Sequence, residues 1–333
     1  MVWVGVKALH AGPSPVITFA MLALLLPSAL ALRPAPRVPR RDAVAAAAAA
    51  CGSVLRPPSA AAAKLTDEEK FLQNPTDTSA LSLPPGCAAA KNVFLVFHGR
   101  GGPDRETDDL LARVRAQDAA AKFVRTVALV DWRPYFESDA ARISFAGQAV
   151  GRKLGRALFA EAPGLRTLHV VGTSAGAWPA NEVCTAYVEA AAAAATKSRA
   201  AVILSLTDPF TQRADEVGAP DKTDGFGMQN YGKSADYAEH YLNADDIVPS
   251  TSAPLRNCYC FDVTRAAERA SFPLPGGGKT GNTVKDAGMT LLGYHNWPMG
   301  YMARHYTTTV DARGELVVPT HADRPRGGVE IVG

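Results

Sequence analysis

Near-continuous apolar runs at Asn92–Phe97, Thr126–Val130, Leu168–Val171 and Ala201–Leu206 alternate with stretches whose apolar residues recur at helical spacing. Runs of that length, with no polar residue at every second position, predict strands buried on both faces, as in a parallel sheet. Between them, Asp108–Ala121, Ser144–Ala160 and the alanine-dominated Glu182–Lys197 predict helices. In the second of these, Val150, Leu154 and Leu158 form one stripe, and Gly147 and Gly151 are small. Tyr237–Leu242 and Asn257–Thr264 predict further strands. Met289–Tyr294 predicts a last core strand that delivers His295, and Val310–Val318 an edge hairpin before a disordered tail. This alternation predicts an α/β fold, a mostly parallel central sheet with helices on both faces.

The chain is organised around Leu168–Ala180, where an apolar run ends in Gly172-Thr173-Ser174-Ala175-Gly176 and helix formers follow. Strand, tight turn and helix in that order push the turn serine out of the backbone, and the flanking glycines let strand and helix pass closely. Pro179 fits the first helical turn, where it has no amide hydrogen bond to lose.

Composition narrows the setting. With 333 residues, 47% of them hydrophobic, the chain can bury one large core, and a net charge of +3 gives no reason to expect a nucleic-acid partner. Residues 1–31 have the pattern of a signal peptide: Lys7, an apolar stretch Val16–Leu32 broken by Pro27, and small residues at Ala29-Leu30-Ala31. Residues 32–64 are rich in Ala, Pro and Arg, with Arg40-Arg41 ahead of a mildly apolar segment and a second small-residue site at Ser59–Ala63. Two readings stay open. The leader is either a plastid or thylakoid-lumen signal of an alga with a complex plastid, or a secretory signal followed by a disordered linker. The folded part is then residues 65–333, with a lid or cap at 211–234. Of five cysteines, Cys51 falls in the leader; Cys87, Cys184, Cys258 and Cys260 have no zinc-ligand spacing and predict buried thiols or one or two disulfides.

Polar clusters close the predicted strands: His98, Asp131, Ser174, Asp208, Asp246 and His295. Open parallel sheets bind ligands at that edge. A neutral serine is a weak nucleophile, needing an imidazole to take its proton and a carboxylate to hold the imidazole. Ser174 is the candidate nucleophile and His295 the candidate base, with His305 its alternative. His98 belongs to the turn after the first strand and His169 reads as a packed core histidine. His10, His240 and His321 carry no positive signal. Asp131 reads as organising its own loop. The amides of Ala175 and Arg100, the latter freed by Gly99 and Gly101, are candidates for binding an oxyanion. The Arg100 guanidinium would favour acidic or phosphate-bearing substrates; a solvated arginine is the plainer reading.

The elbow, the strand-end His98-Gly99 and the late histidine resemble the α/β-hydrolase superfamily. More narrowly, Val130-Asp131-Trp132-Arg133, the Val150-Gly151 helix, the elbow and Thr207-Asp208-Pro209 follow the order of motifs in the pancreatic-lipase-like family, across roughly Asn92–Tyr306. Thr173 and Thr207 stand where that family has histidine and leucine. The resemblance implies a serine esterase or lipase that works through an acyl-enzyme, with Asp208 as the acid. Asp246, in Asp245-Asp246-Ile247-Val248-Pro249, is the alternative acid, because a similar segment carries it in another lipase family. No metal or organic cofactor is implied. The expected partners are an ester or lipid substrate and a transient lipid surface. A non-catalytic hydrolase-like binding protein, a serine peptidase and an acyltransferase are the alternatives.

Overall fold

The computed structural model describes residues 75–136, 142–196, 198–213, 216, 225–246, 248, 251–272 and 294–333. The whole leader, the Met289–Gly293 part of the last predicted core strand, and most of 211–224 lie outside the described residues. All of the described residues belong to the unit Ala62–Gly333.

Seven strands form one sheet: β1 (Asn92–Phe97), β2 (Thr126–Val130), β3 (Thr167–Thr173), β4 (Ala201–Thr207), β5 (Tyr237–Leu242), β6 (Tyr259–Asp262) and β7 (Val329–Ile331). Their order is β2-β1-β3-β4-β5-β6-β7, and every neighbouring pair is parallel. Helices α1 (Arg105–Ala121), α2 (Ile143–Glu161), α3 (Ala177–Ala193), α4 (Phe226–Asn230) and α5 (Trp297–His305) complete it. The α/β class and the helix cover on both faces are as the apolar pattern predicts. β7 is not: the segment read as a disordered tail adds a strand to β6, through Cys260↔Val329 and Asp262↔Ile331. Its side chains are exposed, so backbone pairing rather than an apolar pattern places it, and the pattern gave no warning. The predicted hairpin at Val310–Val318 reduces to a single bridge, Val310↔Leu316.

The strands are apolar throughout because both faces are covered. Along β1, Val93, Leu95 and Phe97 join the core beneath α2 and α3, while Phe94 and Val96 join one with Leu110 and Val114 of α1 and Met299 and Met302 of α5. The helices start and stop for local reasons. Asp104 caps α1, accepting from the Thr107 amide at 2.8 Å while Thr107 Oγ1 accepts from the Asp104 amide, and Lys122 ends the helix at φ 54°. Gly147, Gly151 and Gly155 form one face of α2. A Cβ on Gly151 would lie 2.4 Å from the Pro179 carbonyl oxygen, so α2 and α3 touch backbone to backbone. The two helices thereby hold the turn between β3 and α3. All four cysteines of this unit are buried free thiols, which decides the choice left open by their spacing. Burial pushes the Cys87 thiol up to about 11, away from any nucleophilic state at neutral pH. Among the described residues no helix is long and apolar enough to cross a membrane.

Candidate active site

In this strand order the chain reverses direction across the sheet between β1 and β3, and open parallel sheets bind ligands at the carboxyl ends of the strands at such a point. Ser174 stands at that switch point, one residue past β3, with φ of 50°. A left-handed backbone at a residue with a Cβ costs on the order of 1–3 kcal/mol and persists only where the surroundings impose it. Here they do. A Cβ on Gly176 would lie 2.4 Å from the Phe97 carbonyl oxygen, and one on Gly172 2.6 Å from that of Gly176, so the turn is wedged against the end of β1. Gly99 faces the serine: a Cβ there would stand 3.3 Å from Ser174 Cβ and 3.8 Å from its Oγ.

The turn after β1 is fixed from two sides. The Gly102 amide donates to the Gly99 carbonyl at 3.1 Å, leaving Arg100 exposed at the apex, and His98 Nδ1 donates to the same carbonyl at 2.7 Å. His98 is wholly buried; its Nε2 lies 3.1 Å from Asp131 Oδ1, and the Trp132 indole donates to its carbonyl at 2.9 Å. Arg133 pairs with Asp131 and holds that carboxyl far below its ordinary range. His98 and Asp131 are thus framework residues of this turn, as read from the sequence. Ala175 is buried at the start of the single helical turn Ser174–Gly176.

Asp208 mirrors Ser174 on the next strand. Thr173 pairs with Thr207, so each residue stands one step beyond a matched pair, and Asp208 too has a positive φ, 37°. Neighbouring strands run about 4.8 Å apart. The Phe210 amide donates to the Ser174 carbonyl at 3.0 Å and ties the two turns together. On its other side Asp208 Oδ2 lies 4.0 Å from His295 Nδ1, so Asp208 stands between the serine turn and the histidine.

His295 sits in the helical turn Tyr294–Asn296 that leads into α5. Its Nδ1 donates to Asp246 Oδ2 at 2.5 Å. The hydrogen-bonded acid is therefore Asp246, the alternative in the sequence reading, and Asp208 is the neighbour that makes no bond to the ring. Asp246 also accepts from Thr251 Oγ1 at 2.7 Å and from the Val248 amide at 3.1 Å. Burial raises its pKa, but His295, Thr251 and Val248 outweigh that and hold it below the ordinary value. Asp208 goes the other way. Burial and the charge of Asp246 push its pKa well up; its Oδ1 accepts from the Asn243 amide at 2.9 Å, while its buried Oδ2 has no partner.

With Nδ1 committed to Asp246, Nε2 is the ring's free nitrogen, and it is buried without a hydrogen bond. A buried polar atom left unpaired costs about 1–3 kcal/mol and calls for an explanation. No hydrogen bond joins it to the Ser174 hydroxyl in this form. His305, the alternative base, is at the far end of α5, stacked on Tyr301 with centroids 4.2 Å apart and 3.3 Å from Glu268. Asp208, Asp246 and His295 offer three ligand atoms within 4.8 Å of one another, a set that could hold a metal ion. Two ligands sharing an ion tetrahedrally stand roughly 3.3 Å apart. The 2.5 Å between Nδ1 and Oδ2 is a hydrogen-bond contact, closer than two such ligands stand.

Several supporting residues carried no usable signal in the sequence. Asn243 bonds both Asp208 and the Tyr294 carbonyl, the latter at 3.1 Å, and Asn296 reaches Asp104 and Glu106 at 3.4 Å. Asparagines in loops are too common to single out. The described part of the expected lid is anchored: Tyr231 is fully buried, its hydroxyl donates to the Phe210 carbonyl at 2.9 Å, and Trp178 packs on Tyr231 and Phe226. No protein-family model matches this chain, and no curated protein matches its sequence.

Proposed function

We propose that this protein is a serine hydrolase of the α/β-hydrolase type that cleaves carboxylic esters, lipid esters among them, through an acyl-enzyme. The observation that carries this reading is the unpaired, buried Nε2 of a histidine whose other nitrogen is held by a carboxylate, at the same carboxyl edge of the sheet as a serine forced into a left-handed turn. Serine, acid and histidine follow in the chain order that such enzymes use, and the serine lies on a strand-to-helix turn.

In the proposed mechanism Ser174 Oγ attacks the ester carbonyl as His295 Nε2 takes its proton. Asp246 keeps the ring in the Nδ1-protonated tautomer and stabilises the imidazolium. The amides of Ala175 and Arg100 receive the oxyanion, on the side left open by Gly99. His295 then returns its proton to the leaving alkoxide, and water repeats the cycle on the acyl-serine. The missing Ser174–His295 bond fits a resting form, since such bonds are often long before substrate arrives. Burial and the charge of Asp246 push the Asp208 pKa up, which favours its protonated form and lessens the negative charge beside Asp246. The motifs that resemble the pancreatic-lipase-like family support a lipid substrate: Asp131 and Trp132 brace the turn after β1, and Gly151 sets the approach of α2 to α3.

A fluorophosphonate probe tests this directly. Wild type should become labelled at Ser174 and hydrolyse p-nitrophenyl esters, and Ser174→Ala should do neither. A wild-type protein that is folded, unlabelled and inert on esters of short and long acyl chains would sink the reading.

A further inference from the structure

On the face of the sheet covered by α1 and α5, away from Ser174, lies a cavity of about 450 Å³. That is within the ~300–1,000 Å³ range of small-ligand pockets. Tyr237 and Tyr241 of β5, Phe261 of β6 and Tyr301 of α5 give it aromatic walls, and Thr307 and Thr309 stand exposed at its rim. A cavity between sheet and helix in a well-packed protein is normally filled with side chains. This one is kept open over a polar floor.

The floor is built around Glu239. Ser205 Oγ donates to its carboxylate at 2.7 Å, and the hydroxyls of Tyr237 and Tyr241 donate at 3.2 Å each. Their protons spent, those two tyrosine oxygens have lone pairs left over as acceptors. Arg324 also lines the cavity; its charge acts on Glu239, its guanidinium lies 4.9 Å from the Phe261 ring centre, and Nη1 is 3.4 Å from the Tyr237 hydroxyl. Carboxylate and guanidinium therefore offset each other, and the second carboxylate of the lining, Glu330, already accepts from the Tyr259 hydroxyl at 3.1 Å, so the lining does not call for a charged ligand. A hydrocarbon ligand would leave the floor's acceptors unpaired, at a cost. Flat aromatic walls with both donors and acceptors between them suit a ring that shows C–H on its faces and hydroxyls around its edge.

We propose that this cavity binds a neutral polyhydroxylated ring of monosaccharide size, at a site separate from the Ser174 turn. This holds whether or not the chain hydrolyses esters, because it rests on other residues. Calorimetric titration of the full chain with methyl β-glucopyranoside and methyl β-galactopyranoside tests it, with tetramethylammonium and benzoate as charged comparisons. At least one glycoside should bind with a dissociation constant on the order of 1 mM, as expected for so small a ligand. Thr309→Trp, which fills the rim from an exposed position, should weaken it more than tenfold without changing the melting temperature. If that variant fails to fold, Tyr301→Ala, which removes one wall, takes its place with the same expected loss. No heat from either glycoside, binding that survives the variant, or tighter binding of either charged probe would overturn the proposal.

Discussion

Among the described residues two sets of serine, histidine and carboxylate stand out, and their hydrogen bonds run differently; the proposed function assigns reactivity to the first alone. Ser174 and Asp246 follow β3 and β5, with His295 bonded to Asp246 from the turn before α5; His169, Ser205 and Glu239 lie in mid-sheet on β3, β4 and β5. In the second set His169 Nε2 is 2.8 Å from Ser205 Oγ, whose own proton goes to Glu239. The hydroxyl thus serves the carboxylate and accepts from the imidazole, the reverse of what a nucleophile needs. Burial, with Arg125 nearby, drives the His169 pKa well down, so the ring stays neutral. In the first set the histidine's outer nitrogen has no partner and the serine backbone is strained. Residue types alone do not distinguish these sets; the direction of each proton and the polar atom left unsatisfied do.

The sharpest way to break this comparison is to remove each serine in turn. Ser174→Ala should lower ester kcat/KM by at least about 10³-fold and abolish fluorophosphonate labelling, whereas Ser205→Ala should leave labelling stoichiometry unchanged. Labelling lost from Ser205→Ala in a folded protein would undo the distinction. Next come the two strand-end acids. Asp246→Asn should reduce kcat by about 10²–10⁴-fold, and Asp208→Asn by less than about tenfold, in steady-state assays; the opposite ranking would make Asp208 the acid.

Stability should rank the serines the other way. Ser205→Ala leaves Glu239 and His169 short of a partner and should cost about 1–3 kcal/mol in denaturant unfolding. Ser174→Gly, which relieves the positive φ, should gain up to about 1 kcal/mol. A further effect concerns pH. Asp208 holds its proton more tightly folded than unfolded, so its own contribution to stability falls as pH rises above the ordinary carboxylate value of 3.8, against the opposite slope from Asp131, Asp236 and Asp246. Asp208→Asn should flatten that decline, seen in melting temperatures taken across the pH series; an unchanged slope would place the titration elsewhere.

Much of the scaffold was legible in the pattern. Continuous apolar strands, helical stripes between them and the Gly-x-Ser-x-Gly turn lead to the parallel sheet and to Ser174 at its edge. His295 was singled out because it follows the last predicted core strand, Met289–Tyr294, most of which lies outside the described residues. The acid was not settled, since Asp208 and Asp246 both end strands and differ only in which one the ring meets. Ser205 and Glu239 were visible only as polar interruptions in AVILSL and YAEHYL. Their partners are on neighbouring strands, which periodicity does not identify.

The sequence by itself determined what local rules govern: burial on both strand faces, the glycines that permit the elbow, and the chain order of serine, acid and histidine. Tertiary structure alone decided which carboxylate holds His295, that four cysteines stay apart, that the tail joins the sheet, and that a polar cavity stays open behind it. Those outcomes depend on distances between segments far apart in the chain. Hydrogen bonds and buried charges change sign of effect over a few tenths of a nanometre, a scale that no residue pattern records.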